Sequence, residues 1–167
     1  MSNEIGHDLV NARLVKLPAL NDERGVLIPL TDVINPTLLR RSCHVSNFSR
    51  GTIRGLHYHK EEWKIYYVLS GAAKFISAKI PESLIDQDDA NQIREYLAEH
   101  AINVRSFVMS DRSPSVLVIP AWHANGWISL EEGTSVIFHS NLTFEEAAND
   151  DYRYSPDLLH EKYWSIS

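Results

Sequence analysis

Short runs of β-branched and aromatic residues recur along the chain, and turn-forming residues separate them. The clearest runs are residues 26–28, 63–69, 74–80, 116–119 and 135–140. Gly, Pro, Asn or Asp bounds these runs, which is typical of strands that end in turns. The pattern predicts an all-β protein whose short strands form a sandwich or a barrel.

Two segments depart from this strand pattern and predict helices. In residues 81 to about 100, aspartates suited to a helix N-terminus precede apolar residues at helical spacing, namely Ile93, Tyr96, Leu97 and Ala101. This segment predicts one short helix inserted between strands. Another short helix is expected after Thr143, where a capping hydroxyl precedes Phe144-Glu-Glu-Ala-Ala. We therefore expect an all-β fold with one or two short helices.

Composition places the chain among ordinary globular proteins. Its 167 residues, of which 44% are hydrophobic and 23% charged, suffice for one domain with a substantial core. Neither an internal repeat nor a low-complexity linker interrupts it, so we expect a single domain over residues 1–167. The formal net charge of -6 argues against nucleic acid as a partner, although a local basic pocket for one diphosphate remains compatible with it.

The cysteine content and the N-terminal residues indicate the compartment. Cys43 is the single cysteine of the sequence, so it cannot form an internal disulfide, and we expect it to be a small buried residue. Residues 1–7 are polar and lack the apolar core of a signal peptide. No apolar run approaches the roughly 20 residues of a membrane helix. We expect a cytoplasmic protein without a membrane partner.

The densest group of chemically active side chains lies in Arg54-Gly-Leu-His-Tyr-His-Lys60. His57 and His59 stand at i and i+2, so on a strand they project from the same face. Together with Lys64 and Gly71 they have the spacing of the first motif of the cupin barrels. This spacing selects a cupin barrel, also called a double-stranded β-helix or jelly roll, among the possible all-β folds.

The same spacing argues against a metal. Metal-binding cupins have a glutamate at the position of Lys64, and a protonated lysine offers no lone pair to a cation. The second motif, Pro120-Ala-Trp-His-Ala-Asn125, has Asn125 at the ligand position and His123 two residues early. Too few ligands remain for a tight site, so we expect neither a metal nor another cofactor.

These motifs resemble two related enzyme families. The dTDP-4-dehydrorhamnose 3,5-epimerases are similar in Asp22-Glu-Arg-Gly25, Gly51-Thr-Ile-Arg-Gly-Leu-His57, Lys64, Gly71, Ile119-Pro120 and Gly126-Trp127. The dTDP-sugar 3,4-ketoisomerases are similar in the segment from Arg54 to Lys60, in Trp122-His123 and in Asp150-Asp-Tyr-Arg153. The resemblance implies a cupin-fold isomerase that acts on a nucleotide-diphosphate sugar, needs no cofactor and forms a homodimer.

The resemblance also implies an activity and a setting. The expected reaction is epimerisation at C3, C5 or both of an NDP-4-keto-6-deoxyhexose, in the synthesis of cell-surface polysaccharide such as the O-antigen of lipopolysaccharide. Hydrogens beside a ketone are weakly acidic, and their removal requires a general base and stabilisation of the enolate oxygen. His57 matches the base, Lys64 matches the enolate stabiliser, and His59 is a third catalytic candidate.

Five further residues are candidates for substrate binding. Arg24 and Arg54 match positions that hold the diphosphate, where a guanidinium makes paired, charge-assisted hydrogen bonds. His123 and Asn125 belong to the second motif, and Tyr66 shares the strand face of Lys64 by its period of two. His139 follows Phe138 on its strand and should face the opposite side, as an exposed or structural residue.

The chain also departs from the epimerase pattern. Phe138 stands where the epimerases have a tyrosine that acts as the acid, and phenylalanine cannot donate a proton. The aspartate that orients the base is expected to be Asp151 or Asp157. Two alternatives therefore stay open: a 3,4-ketoisomerase in which His57 and His59 relay a proton on one face, and a sugar-nucleotide binder without catalytic activity.

Overall fold

The computed structural model describes residues 5–166, and strands dominate it. In chain order the strands are β1 (Arg13–Lys16), β2 (Leu20–Asp22), β3 (Gly25–Leu27), β4 (Arg41–Ser46), β5 (Ile53–Tyr58), β6 (Lys64–Ser70), β7 (Ala72–Lys79), β8 (Val104–Ser110), β9 (Ser115–Ile119), β10 (His123–Ser129), β11 (Ser135–Ser140) and β12 (Tyr152–Arg153). The α-helices are α1 (Glu82–Gln87), α2 (Ala90–Glu99) and α3 (Phe144–Asn149). Short 3-10 turns cover Pro36–Leu38, Ala101–Asn103, Pro156–Leu158 and Glu161–Tyr163.

Two five-stranded antiparallel sheets form the body of the fold. The first sheet has the strand order β1-β9-β6-β11-β4, and the second has the order β12-β5-β10-β7-β8. Strands β2 and β3 form a separate hairpin. The expected all-β fold of the cupin type is confirmed.

Side chains from the inner faces of both sheets fill the space between them. Phe75 and Trp127 of the second sheet stack with their ring centroids 5.9 Å apart, and both contact the buried cluster that contains Leu117 and Val136 of the first sheet. Strand β6 is covered on both faces: Tyr66 points into this cluster, while alternate residues pack under the N-terminal segment. The continuous apolar run that predicted this strand therefore corresponds to burial on both of its faces.

The helical insertion between β7 and β8 differs from the prediction in one respect. It contains two helices instead of one, because Asp88 adopts a left-handed conformation with φ of 49° that ends α1. The carboxylate of Asp89 then accepts hydrogen bonds from the amides of Asn91 and Gln92 and begins α2. The expected helix after Thr143 is present as α3, with a capping box between Thr143 and Glu146.

A glycine in β5 makes the geometry of the motif possible. Gly55 has φ of +138°, and a Cβ there would lie 2.7 Å from the Cα of Gly126 in β10. The two strands approach closely here and their register shifts, so that His57 pairs with Asn125 while Arg54 pairs with Trp127. Paired residues of antiparallel strands share a face, so Arg54 and His57 both face the inside of the fold.

No helix within residues 5–166 has the length and apolar character needed to cross a membrane.

Candidate active site

A cavity of about 170 Å³ brings the predicted catalytic residues together. It is lined from the first sheet by Arg41 and Lys64, and from the segment after β5 by His59 and Glu62. The remaining lining residues come from β5, α3 and the segment of β12, namely His57, Phe144, Ala147, Ala148, Asp151 and Arg153. All three catalytic candidates of the sequence therefore line one cavity.

His57 is held by a carboxylate. Its Nδ1 lies 2.9 Å from Oδ1 of Asp151, because β12 pairs with β5 and places Arg153 opposite His57. Arg153 Nε donates to the other carboxylate oxygen at 2.8 Å. Burial alone raises the pKa of Asp151, but the hydrogen bonds from His57 and Arg153 outweigh it and lower the net pKa. A charged Asp151 assigns the imidazole proton to Nδ1 and leaves the lone pair on Nε2.

His57 has the features of a general base. Its Nε2 has no hydrogen-bond partner among residues 5–166, and the side chain is 32% exposed at the cavity. A neutral imidazole with a free Nε2 and a carboxylate behind Nδ1 can take a proton and be stabilised as the imidazolium. The structure selects Asp151 as the orienting aspartate, whereas Asp157 lies in the 3-10 turn Pro156–Leu158 and lines a different cavity.

His59 is placed differently from His57, although the two rings are parallel with centroids 6.4 Å apart. Its Nδ1 donates to the backbone carbonyl of Asp150 at 2.6 Å, and its Nε2 lies 2.8 Å from Nζ of Lys64. Burial, and next the positive charge of Lys64, lower the pKa of His59 to about 4. His59 is therefore neutral at physiological pH and accepts a hydrogen bond from Lys64.

Lys64 lies at the floor of the cavity with its ammonium nearly enclosed. Besides His59, it contacts Oε2 of Glu62 at 3.4 Å and lies 5.7 Å from the centroid of the Phe138 ring. Burial lowers the pKa of Lys64, and the negative charge of Glu62 opposes this effect. A desolvated cation in this position is suited to stabilising negative charge that develops on a bound molecule.

Glu62 is the main site residue that the sequence did not reveal. Its side chain is only 1% exposed, and Oε1 accepts hydrogen bonds from Arg41 at 2.5 Å and from Ser140 at 2.7 Å. In the sequence it is indistinguishable from the adjacent Glu61, which is exposed. Only the course of the loop decides which of two neighbouring glutamates is buried.

Asp150 fixes that loop. Its carboxylate accepts three backbone hydrogen bonds, from Lys60 at 2.9 Å and from Glu61 and Glu62 at 2.8 Å each. Its backbone carbonyl meanwhile accepts from His59. Two consecutive aspartates thus organise the site: Asp150 holds the loop that carries His59 and Glu62, and Asp151 holds His57.

Three of the predicted substrate-binding residues lie in the interior of the fold and outside the lining of the cavity. The hydroxyl of Tyr66 donates to Oδ1 of Asn125 at 2.9 Å, and burial raises the pKa of Tyr66. Asn125 donates in turn to the backbone carbonyls of His57 and His123, both at 3.2 Å. His123 is buried, which lowers its pKa, and its Nδ1 bonds the carbonyl of Ala121 at 2.9 Å. Asn125 lies beside His57 in the sheet, and the polar groups of all three residues are engaged within the interior. Their contact with a substrate stays a prediction.

The two predicted diphosphate ligands occupy different places. Arg54 shares the inner face of His57, and its exposed guanidinium bonds Oδ1 of Asn47 at 2.6 Å and the carbonyl of Ser46 at 3.1 Å. Arg24 lies in the turn of the β2–β3 hairpin, where it pairs with Asp22 at 2.5 Å and remains 83% exposed. Within one chain Arg24 does not line the cavity.

Phe138 occupies the inner face of β11 between two cations. The guanidinium of Arg41 and the ammonium of Lys64 each lie 5.7 Å from its ring centroid. No tyrosine hydroxyl lines the cavity within residues 5–166.

Cys43 pairs with Phe138 in the sheet and is half-buried, where full burial was expected. His139 bonds Ser42 Oγ at 2.7 Å on the outer face, in agreement with a structural residue.

The described part of the chain, residues 5–166, contains no cluster of three or more His, Cys, Asp or Glu side chains arranged to hold a metal ion. Lys64 lies among the acidic and imidazole groups of the cavity, where its ammonium repels a divalent cation.

Comparison with known proteins shows the fold. No family model matches the chain, and no curated protein matches it. Among solved structures, the sugar 3,4-ketoisomerase QdtA from Thermoanaerobacterium thermosaccharolyticum, in complex with TDP, has a TM-score of 0.63 and 18% identity, covering 90% of this chain and 93% of that chain. The rmlC epimerase of Mycobacterium tuberculosis has a TM-score of 0.69 and 14% identity, covering 96% and 75%.

A third similar structure is ChmJ, a 3'-monoepimerase from Streptomyces bikiniensis in complex with dTDP-quinovose. Its TM-score is 0.67 at 14% identity, and the match covers 92% of this chain and 76% of that chain. Proteins described as ketoisomerases and as epimerases therefore share the fold of this chain. The fold expected from both resemblances is confirmed, and the choice between their reactions rests on the site.

Proposed function

We propose that the protein is an isomerase that epimerises an NDP-4-keto-6-deoxyhexose at C3, C5 or both. The observation that carries the proposal is the His57–Asp151 pair, with Nε2 of His57 free, in the same cavity as the buried Lys64. A base and a desolvated cation within one cavity are the two requirements for forming an enolate beside a ketone. The similar structures support the substrate class, since their descriptions name TDP and dTDP-linked sugars.

The reaction begins with proton removal next to the C4 ketone. Nε2 of His57 takes the proton from the carbon, and Asp151 stabilises the imidazolium that forms. The electrons of the broken C–H bond move to the ketone oxygen, whose negative charge the ammonium of Lys64 stabilises. His59 holds Lys64 by accepting its hydrogen bond, so in this mechanism His59 acts on the lysine and not on the sugar.

Inversion then requires a proton from the opposite face of the enolate. Phe138 cannot supply it, and no tyrosine lines the cavity in the described chain, so the proposal assigns this step to water. The cavity is open to solvent, which supports that assignment. Reprotonation by water regenerates the ketone with the inverted configuration and leaves the original proton on His57, from which solvent removes it.

A 3,4-ketoisomerase is the second candidate, and two observations favour it. The rings of His57 and His59 are parallel on one side, and an acid on the opposite side is missing at Phe138. In this reaction His57 removes the proton from C3 and returns it to C4 on the same face, while a proton passes from O3 to O4. The carbonyl therefore moves from C4 to C3, and no group on the second face is needed.

The finer expectations belong to the same proposal. We expect a dTDP-linked substrate whose diphosphate lies against Arg54, and a cytoplasmic homodimer that contributes to the synthesis of cell-surface polysaccharide such as lipopolysaccharide. Exposed apolar side chains on the β2–β3 hairpin, namely Leu20, Val26 and Leu27, support pairing of this hairpin with a second copy. In such a dimer Arg24 would reach the partner's diphosphate.

Incubation with dTDP-4-keto-6-deoxyglucose in deuterated water, followed by proton NMR, tests the proposal. Deuterium at C3 or C5 with altered ring couplings supports epimerisation, and a carbonyl at C3 supports the ketoisomerase. Binding of the nucleotide sugar without any exchange supports a non-catalytic binder and contradicts both. His57→Asn should abolish exchange, whereas His44→Asn, on the outer face of β4, should retain it.

A further inference from the structure

The buried carboxylate of Glu62 is unexpected in a cavity that is to stabilise an anion. It places a negative charge 3.4 Å from the ammonium of Lys64 and within reach of Nε2 of His59 at 3.2 Å. A buried charge persists only when it is paired and hydrogen-bonded. Glu62 meets this condition through Arg41, Lys64 and Ser140. The two cations stabilise the buried carboxylate, and the carboxylate in turn stabilises the two cations.

The charges of the neighbouring residues explain why a buried carboxylate is present in this cavity. Arg41 and Lys64 converge on one ring, that of Phe138, and both side chains are largely buried. Two cations side by side in a largely buried place repel each other, and the group that can release a proton is the lysine. One carboxylate between them reduces the total formal charge from two positive charges to one.

Every element around Lys64 contributes to this balance. Burial, and to a smaller extent Arg41 on β4, favour the neutral amine, whereas Glu62 and next Asp151 favour the ammonium. His59 supplies a neutral acceptor, and Phe138 on β11 is apolar. Asp151 is already engaged by His57 and Arg153, so Glu62 is the carboxylate committed to Lys64.

We propose that Glu62 is a positioning residue that holds Arg41 and Lys64 together on the cavity floor and keeps Lys64 in the ammonium form. The part of the proposal that concerns an enolate rests on the proposed function, while the charge state of Lys64 does not. Asp150 supports this arrangement, because its carboxylate accepts a hydrogen bond from the amide of Glu62 and so fixes the loop that carries Glu62. The guanidinium of Arg41 keeps a buried Nε without a partner among the described residues.

The test compares wild type with Glu62→Gln and with Glu61→Gln as a matched control. Glu61 is the exposed neighbour, and its side chain has no part in the cavity. The protonation of Lys64 is followed directly by NMR of protein with labelled lysine side chains, its signal being assigned through Lys64→Arg. We expect the titration of Lys64 in Glu62→Gln to move at least one pH unit down, with Glu61→Gln unchanged.

Turnover gives the second readout. In Glu62→Gln the rate of C–H exchange at high pH should fall at least tenfold, with a smaller change in KM, because the cation and not the diphosphate contact is affected. Glu62→Asp, which keeps the charge, should restore part of the rate. A folded Glu62→Gln protein whose Lys64 titrates as in wild type would overturn the proposal.

A measurement on the wild type alone covers the case in which Glu62→Gln fails to fold. The nitrogen shift of Lys64 at pH 7 must be that of an ammonium, and a neutral amine there would also overturn the proposal. If the protein turns over no nucleotide sugar but Lys64 is protonated and responds to Glu62→Gln, the proposed function fails and the role of Glu62 stands. The two proposals are thereby tested separately.

Discussion

The imidazole of His57 and the carboxylate of Asp151 meet at 2.9 Å although 94 positions separate them in the sequence. The contact exists because the short strand β12 returns to the edge of β5 after helix α3. Arg153, which pairs with His57 in the ladder, also bonds Asp151. The two-residue strand β12 therefore decides the orientation of the proposed base.

The first prediction concerns this pair. Asp151→Asn should lower the rate of deuterium incorporation about 100-fold, because an amide in this place favours the wrong imidazole tautomer and does not stabilise the imidazolium. Initial rates measured by proton NMR in deuterated water check it. Asp157→Asn is the matched control and should exchange at the wild-type rate, since Asp157 lines a different cavity. Equal losses in both variants would contradict the assignment of Asp151.

The second prediction concerns Phe138. Phe138→Tyr should place a phenol near Arg41 and Lys64, two cations that favour its ionised form and make it a better acid. We expect the ratio of inverted sugar to exchanged but uninverted sugar to rise at least tenfold, in line with the contribution of a positioned general acid. The measurement is the ratio of inverted to exchanged but uninverted sugar. An unchanged ratio in a folded variant would show that Phe138 does not face the substrate carbon.

The third prediction is a pH dependence of stability that comes from His59. Its pKa is about 4 in the folded protein against an ordinary histidine pKa of about 6.5, so the unfolded chain binds the proton first as the pH falls. The contribution of neutral His59 to the free energy of unfolding is complete above about pH 6.5. It is lost as the pH falls from there to about pH 4. The loss is on the order of 3 kcal/mol of unfolding free energy.

Urea denaturation at pH 7 and at pH 4.5 measures this effect. His59→Gln cannot titrate, so its unfolding free energy should depend less on pH across this interval than that of wild type. Acidic groups that do not contact His59 contribute equally to both proteins and cancel in the comparison. Parallel pH dependences in the two proteins would mean that His59 is not buried in its neutral form.

The fourth prediction concerns the loop that Asp150 holds. Asp150→Ala should cost about 3 kcal/mol of unfolding free energy, because three backbone amides lose a charged acceptor in a buried place. Asp111→Ala removes an acceptor from a single backbone amide, that of Gly71, and should cost about 1 kcal/mol. Urea denaturation compares the two variants. Similar losses would show that the three hydrogen bonds of Asp150 do not act together.

Much of the fold was accessible from the pattern of the chain. The runs of β-branched and aromatic residues correspond to strands β3, β6, β7, β9 and β11, with ends that differ by one or two positions. Thr143 marked the start of α3 correctly, because a capping hydroxyl acts through local hydrogen bonds. The segment that contains α1 and α2 was predicted as one helix, because the backbone of Asp88 turns left-handed and sequence spacing does not register such a turn.

The candidate site was accessible only in part. The spacing of His57, His59 and Lys64 indicated one cavity, and the structure brings them to one. Tyr66 was assigned to substrate binding by its shared face with Lys64, but its hydroxyl is used within the interior by Asn125. Which inward-facing residue meets solvent depends on its depth between the sheets, and periodicity carries no information on depth.

The sequence by itself determined the strand pattern, the pair of histidines on one face and the lysine that replaces a metal ligand, because these depend on residue type and local spacing. The tertiary structure alone decided that Asp151 orients His57, that Asp150 fixes the following loop, and that Glu62 is buried while Glu61 is not. Those relations join β4, β5, β6 and α3 across the fold. The burial that changes the pKa values and strengthens the ion pairs of these groups exists only once the two sheets have packed.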